Sequence, residues 1–80
     1  MKITILYGGK SGEHEVSLVS AASVARNIDL SKHTVDLIGI TKEGKWFFQD
    51  SSELKRIKKD TNASLQIKEK YPVVIVPGGS

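Results

Sequence analysis

Glu13, His14 and Glu15 stand in a row just after a pair of glycines, within LYGGKSGEHEVSLVS from Leu6 to Ser20. Two carboxylates and an imidazole beside a glycine turn point to three chemistries. A metal site is the first, and the spacing argues against it. Adjacent residues on a helix point in different directions. H-E-x-x-H is absent as well, because His33 falls beyond the helical run. A phosphate cradle is the second. Gly8, Gly9 and Gly12 make G-G-x-x-G, which is neither a dinucleotide fingerprint nor a P-loop, and the neighbouring carboxylates would repel an anion. A clamp for a cation is the third. A carboxylate at the mouth of a strand–turn–helix unit can hold an ammonium group by a charge-assisted hydrogen bond. Its rival is a solvated helix start, where Glu13 and Glu15 only complement the dipole and His14 is exposed or lightly hydrogen-bonded. On the residues alone both of these last readings stand.

The elements that must position this segment are legible from periodicity. Lys2 to Tyr7 reads as a strand with Ile3, Ile5 and Tyr7 on one face. Its other face is also mostly apolar, as in a parallel strand buried on both sides. Leu18, Ala21, Ala22, Ala25 and Ile28 recur at helical spacing, and their small side chains suit close packing on a sheet. Ser11 is the expected N-cap, and the helix should end near Ile28 to Leu30. TVDLIGI, Thr34 to Ile40, reads as a second strand with Val35, Leu37 and Gly39 facing one way. Glu43-Gly44 predicts a hairpin turn into a short strand from Trp46 to Phe48. Ser51 or Ser52 should cap a helix through SELKRIKKD, with Leu54 and Ile57 as its apolar side. Ser64 to Lys68 alternates weakly, and the β-branched run from Pro72 to Val76 reads as a strand. Strand, glycine turn, helix, strand is the opening unit of a doubly wound α/β domain.

The bulk properties exclude several classes. Eighty residues suffice for one small domain with a modest core. The absence of cysteine removes disulfides, zinc ribbons and thiol catalysis. The apolar run at the N-terminus, Ile3 to Tyr7, is too short for a signal core or a membrane span, so the expectation is a cytoplasmic protein with no membrane partner. Net charge is +3, with the excess concentrated in Lys55, Arg56, Lys58 and Lys59. No aromatic residue interleaves that run, which reads as a solvated helix face rather than a nucleic-acid surface.

LYGGKSGEHEVSLVSA, Leu6 to Ala21, closely resembles the N-terminal signature of the D-alanine–D-alanine ligases, G-G-x-S-x-E-x-E-V-S-x-x-S. Gly8, Gly9, Ser11, Glu13, Glu15, Val16, Ser17 and Ser20 fall on its positions. The stretch through Trp46 is similar to the strand and I-x-x-x-G-x-W hairpin of that family. The resemblance covers Lys2 to about Phe48 well and weakens beyond Gln49. It implies a Rossmann-like, pre-ATP-grasp three-layer α/β fold with a mostly parallel sheet, incomplete in this chain. Residues 1–80 would then be part of the N-terminal substrate-binding domain of a longer ligase.

The resemblance also implies a reaction. In such ligases ATP, with Mg2+, phosphorylates the carboxylate of one D-alanine. The amine of a second D-alanine then attacks, giving the dipeptide of peptidoglycan precursors. Carried over by motif, Glu13 pairs with the first D-alanine's ammonium, Val16 lines its pocket and Ser17 supports the site. ATP and Mg2+ are expected on domains absent here, since the family's L-H-G-x-x-G-E-D-G segment does not occur in this sequence. A homodimer is the expected assembly of the full-length enzyme. D-alanyl-D-lactate or D-alanyl-D-serine synthesis is the alternative specificity, and a non-catalytic Rossmann-like binding module the alternative class.

Overall fold

The computed structural model describes residues 1–10 and 12–74. Along the chain lie β1 (Lys2–Gly8), α1 (His14–Arg26), β2 (Thr34–Ile40), β3 (Trp46–Gln49), α2 (Ser51–Lys59) and β4 (Tyr71–Pro72). They build one four-stranded sheet in the order β1-β2-β3-β4. The α/β class and the β-α-β opening are as the sequence predicts. β1 and β2 run parallel, with Tyr7 opposite Gly39 and Gly8 opposite Ile40. The other two junctions are antiparallel, so the sheet is mixed among the described residues rather than mostly parallel. The physical reason is the turn at residues 41–45. Gly44 adopts φ +88°, its N–H donates to Thr41 O, and Thr41 N–H donates to Lys45 O. This tight reversal returns the chain beside β2, where only an antiparallel strand can follow.

One core joins both helices to one face of the sheet. Tyr7 and Leu37 meet Ala21, Ala22, Ala25, Leu54, Ile57 and Leu65 there. Small alanines let α1 lie close to β1, as their spacing predicts. α1 and α2 thus share a side, and the described residues build two of the three expected layers. Consequently β1 is not buried on both faces: Leu6 is 50% exposed. It forms a row with Ile38, Phe48 and Tyr71 across the four strands on the side away from the shared core.

The helix ends depart from expectation in instructive ways. α2 is capped by Asp50, not Ser51 or Ser52; the Asp50 carboxylate accepts from Ser52 N–H at 2.8 Å. α1 ends at Arg26, earlier than its apolar stripe suggests. Arg26 Nε donates to Ile57 O at 2.8 Å at the end of α2, and its Nη2 also reaches the Asp60 and Ala63 carbonyls. Lys58 Nζ donates in return to Arg26 O at 3.1 Å and Ile28 O at 3.0 Å. Each helix supplies the cation that satisfies the other's terminal carbonyls. Within the basic run, Arg56 and Lys58 are therefore structural clamps, not part of a uniform solvated face. The expected cap Ser11, and residues 75–76 of the expected last strand, lie outside the described residues.

Ser64 to Lys68 is not a strand. It is an extended strap across the core whose backbone is paired mostly by side chains. Gln66 N–H donates to the Glu53 carboxylate, and Gln66 O accepts from Tyr7 Oη at 2.6 Å. Ser64 O accepts from Arg56 at 2.8 Å. The Gln49 amide brackets Lys68, accepting from its N–H at 2.9 Å and donating to its carbonyl at 3.1 Å. Leu65 N–H donates to Leu18 O at 3.1 Å. The weak alternation in sequence reflects Leu65 and Ile67 packing inward while polar partners hold the residues between them.

Candidate functional site

The parallel strands β1 and β2 end together at Gly8 and Ile40, the edge where open α/β sheets hold ligands. Gly8 and Gly9 turn the chain there with φ of +91° and +110°, backbone geometry that favours glycine. Gly8 also lacks room for a side chain: a Cβ would lie 2.3 Å from Ile40 O and 2.9 Å from Ile67 Cδ1. Gly8 N–H donates to Ser17 Oγ at 2.9 Å, and Gly9 N–H donates to Ile40 O at 2.8 Å. Both glycine amides at the bend are thereby engaged within the protein. This does not fit a nucleotide phosphate, which needs such donors open to it.

Glu13 is the N-cap of α1, exposed, and its carbonyl accepts the first helical bond from Ser17 N–H at 2.9 Å. Val16, one turn on, shares its side of the helix and is 56% exposed. Ser17 turns inward to brace Gly8. Glu13, Val16 and Ser17 thus lie close together at one helix start. Glu15 faces elsewhere and pairs with Lys42 Nζ at 3.4 Å, a tie between α1 and the turn after β2. Among the described residues no group of three or more His, Asp or Glu side chains is placed to hold a metal ion.

The sequence reads His14 as exposed or lightly hydrogen-bonded, and of the two the structure shows the hydrogen bond, with the ring buried. The residue is 8% exposed rather than solvated, and its Nδ1 lies 2.8 Å from Gly9 O. A carbonyl only accepts, so Nδ1 carries the proton and donates. A cleft of about 220 Å³ opens beside the ring, lined by Thr41, Lys42, Glu43, Ile67 and Glu69. Periodicity held a weak signal of this burial, since His14 lies seven and eight residues before Ala21 and Ala22 on the packed side of α1. A wider groove of about 440 Å³ runs along Trp46, Phe47 and Pro72.

A family profile described as the D-ala D-ala ligase N-terminus matches residues 2–77. The chain belongs to that family. A D-alanine–D-alanine ligase from Treponema denticola is 52% identical over 99% of this chain. The solved D-alanine–D-alanine ligase from Coxiella burnetii superimposes with a TM-score of 0.65 at 30% identity over 76% of the chain. The VanG D-Ala:D-Ser ligase from Enterococcus faecalis does so with a TM-score of 0.59 at 34% identity over 78%. The chain spans about a fifth of these relatives: 22%, 17% and 19% of their lengths in the same order. As a ligase N-terminus it carries the glycine turn and the first helix, and no described helix is long and apolar enough to cross a membrane.

Proposed function

We propose that residues 1–80 form the part of an ATP-dependent D-alanine–D-alanine ligase that holds the first D-alanine by its ammonium group, with Glu13 as the clamp. The supporting observation is the position of Glu13. It begins a helix at the C-terminal edge of the parallel strand pair, on a turn pinned by Ser17 and Ile40. D-alanine is a zwitterion, so a carboxylate that fixes its nitrogen also orients its acid group for reaction elsewhere. Such orientation can supply a large part of a rate enhancement. The helix N-terminus favours the ionised carboxylate of Glu13. Val16 lies beside it as an apolar wall for the methyl group, and Ser17 holds the turn in shape.

The engaged amides of Gly8 and Gly9 support a reading in which ATP and magnesium are held by later domains. In the same reading the whole enzyme is a cytoplasmic homodimer that supplies the dipeptide of peptidoglycan precursors. Its second substrate is chosen by residues beyond this chain, and relatives with D-Ala and with D-Ser specificity both share the fold.

Calorimetric titration of the full-length ligase with D-alanine tests the clamp. Glu13→Gln should weaken first-site binding by about 1.5–3 kcal/mol, the scale of a charge-assisted hydrogen bond. Unchanged affinity would sink the assignment and leave Glu13 as helix decoration.

A further inference from the structure

We infer that His14 is a positioning residue for Glu13, acting as a latch that fixes the loop between the glycine turn and α1. The inference rests on the clamp reading above and adds to it a residue that does not itself touch substrate. His14 is the first residue of α1 and reaches back over the loop to donate from Nδ1 to Gly9 O at 2.8 Å. Glu13 is the residue directly before it. The bond ties the glycine turn directly to the first residue of α1. The latch therefore fixes where α1 begins relative to the glycine turn, and with it the place of its N-cap, Glu13.

The ring itself is held from two sides. Its Cε1 lies 3.1 Å from the point a Gly8 Cβ would occupy, and Ile67 closes on the same space from the strap. Ile67 also fills the gap over Gly39, where a Cβ would lie 2.6 Å from it. The ring is 8% exposed, so partial burial limits competition by water for the Gly9 carbonyl. The adjoining charged groups, Lys42, Glu43 and Glu69, line the cleft beside the ring. The Nδ1 bond needs only the proton on that nitrogen, which is present in both the neutral donor form and the cation.

Steady-state kinetics of the full-length ligase separate positioning from simple support. His14→Leu removes the donor. His14→Asn keeps one, because the asparagine amide nitrogen falls near the place of Nδ1. The expected result is a KM for the first D-alanine raised about tenfold in His14→Leu, with the KM for ATP unchanged, and a return to within about twofold of wild type in His14→Asn. Glu13→Gln and the Glu13→Gln/His14→Leu double variant complete the cycle. If His14 works through Glu13, the double variant is no worse than Glu13→Gln. Equal KM values for the leucine and asparagine variants, or parallel rises for D-alanine and ATP, would overturn the latch. If His14→Leu does not fold, His14→Gln replaces it, since its longer amide places the donor out of line with Gly9 O. A normal KM in Glu13→Gln strikes down the clamp reading itself. A raised KM there with a normal KM in His14→Leu strikes down only the latch.

Discussion

Glu53 shows how a single side chain can hold both a helix and a strap. It is 2% exposed, accepts two bonds from Arg56 at 2.9 and 2.8 Å, and takes a third from Gln66 N–H. Burial alone would raise its pKa, but the Arg56 and Gln66 hydrogen bonds outweigh it and hold the carboxyl below the usual glutamate range. Tyr7 beside it is pushed the other way, first by burial and then by the Glu53 charge, with Arg56 opposing. A carboxyl depressed in the folded state stabilises the fold above its unfolded pKa, and that stability is lost as pH falls through the folded value. Thermal melts of the full-length protein should therefore lose stability as pH drops below about 4.3, the ordinary glutamate pKa. Glu53→Gln should flatten that portion of the profile. An identical acid profile in the variant would show that Glu53 does not carry the linkage.

At the scale of elements, the strap is the piece that closes the core. Leu65 is 0% exposed between the two helices' partners, while residues 64, 66 and 68 are pinned by Arg56, Glu53, Tyr7 and Gln49. Leu65→Ala should destabilise by about 2–5 kcal/mol, the range for a truncated core leucine. Chemical unfolding measures it, and a loss under about 1 kcal/mol would mean the strap is dispensable to the core. The site depends on the same strap through Ile67, which seats both Gly8 and the His14 ring. Much of this was hidden in the sequence. Leu65 and Ile67 show their alternation, but nothing local reveals that the partners of the residues between them come from Tyr7, Gln49, Glu53 and Arg56. Those pairings span up to 59 positions along the chain.

For the molecule as a whole, the asymmetric sheet matters most. Both helices lie on the Tyr7–Leu37 side, and the row of Leu6, Ile38, Phe48 and Tyr71 lies on the other. The glycine turn offers no open pair of amides to a nucleotide, so catalysis should require the rest of the ligase. Purified residues 1–80 mixed with ATP and D-alanine should release no phosphate and form no dipeptide. Dipeptide detected by mass spectrometry from that mixture would refute this division of labour.

Local physics determined a great deal from sequence alone. Alternation located β1 and β2, alanine spacing located α1, and glycine chemistry located both turns. The roles of Glu13, Val16 and Ser17 came instead from the family resemblance of the signature from Gly8 to Ser20, and they stand as proposals. Tertiary structure alone decided which groups meet. It buried His14 against Gly9, turned Ser17 onto Gly8, gave Arg26 and Lys58 to opposite helix ends, and put both helices on one side of a mixed sheet. The reason is common to all four. Periodicity records the face a residue takes on its own element, whereas a hydrogen bond or a packed contact depends on what a distant part of the chain brings to that face.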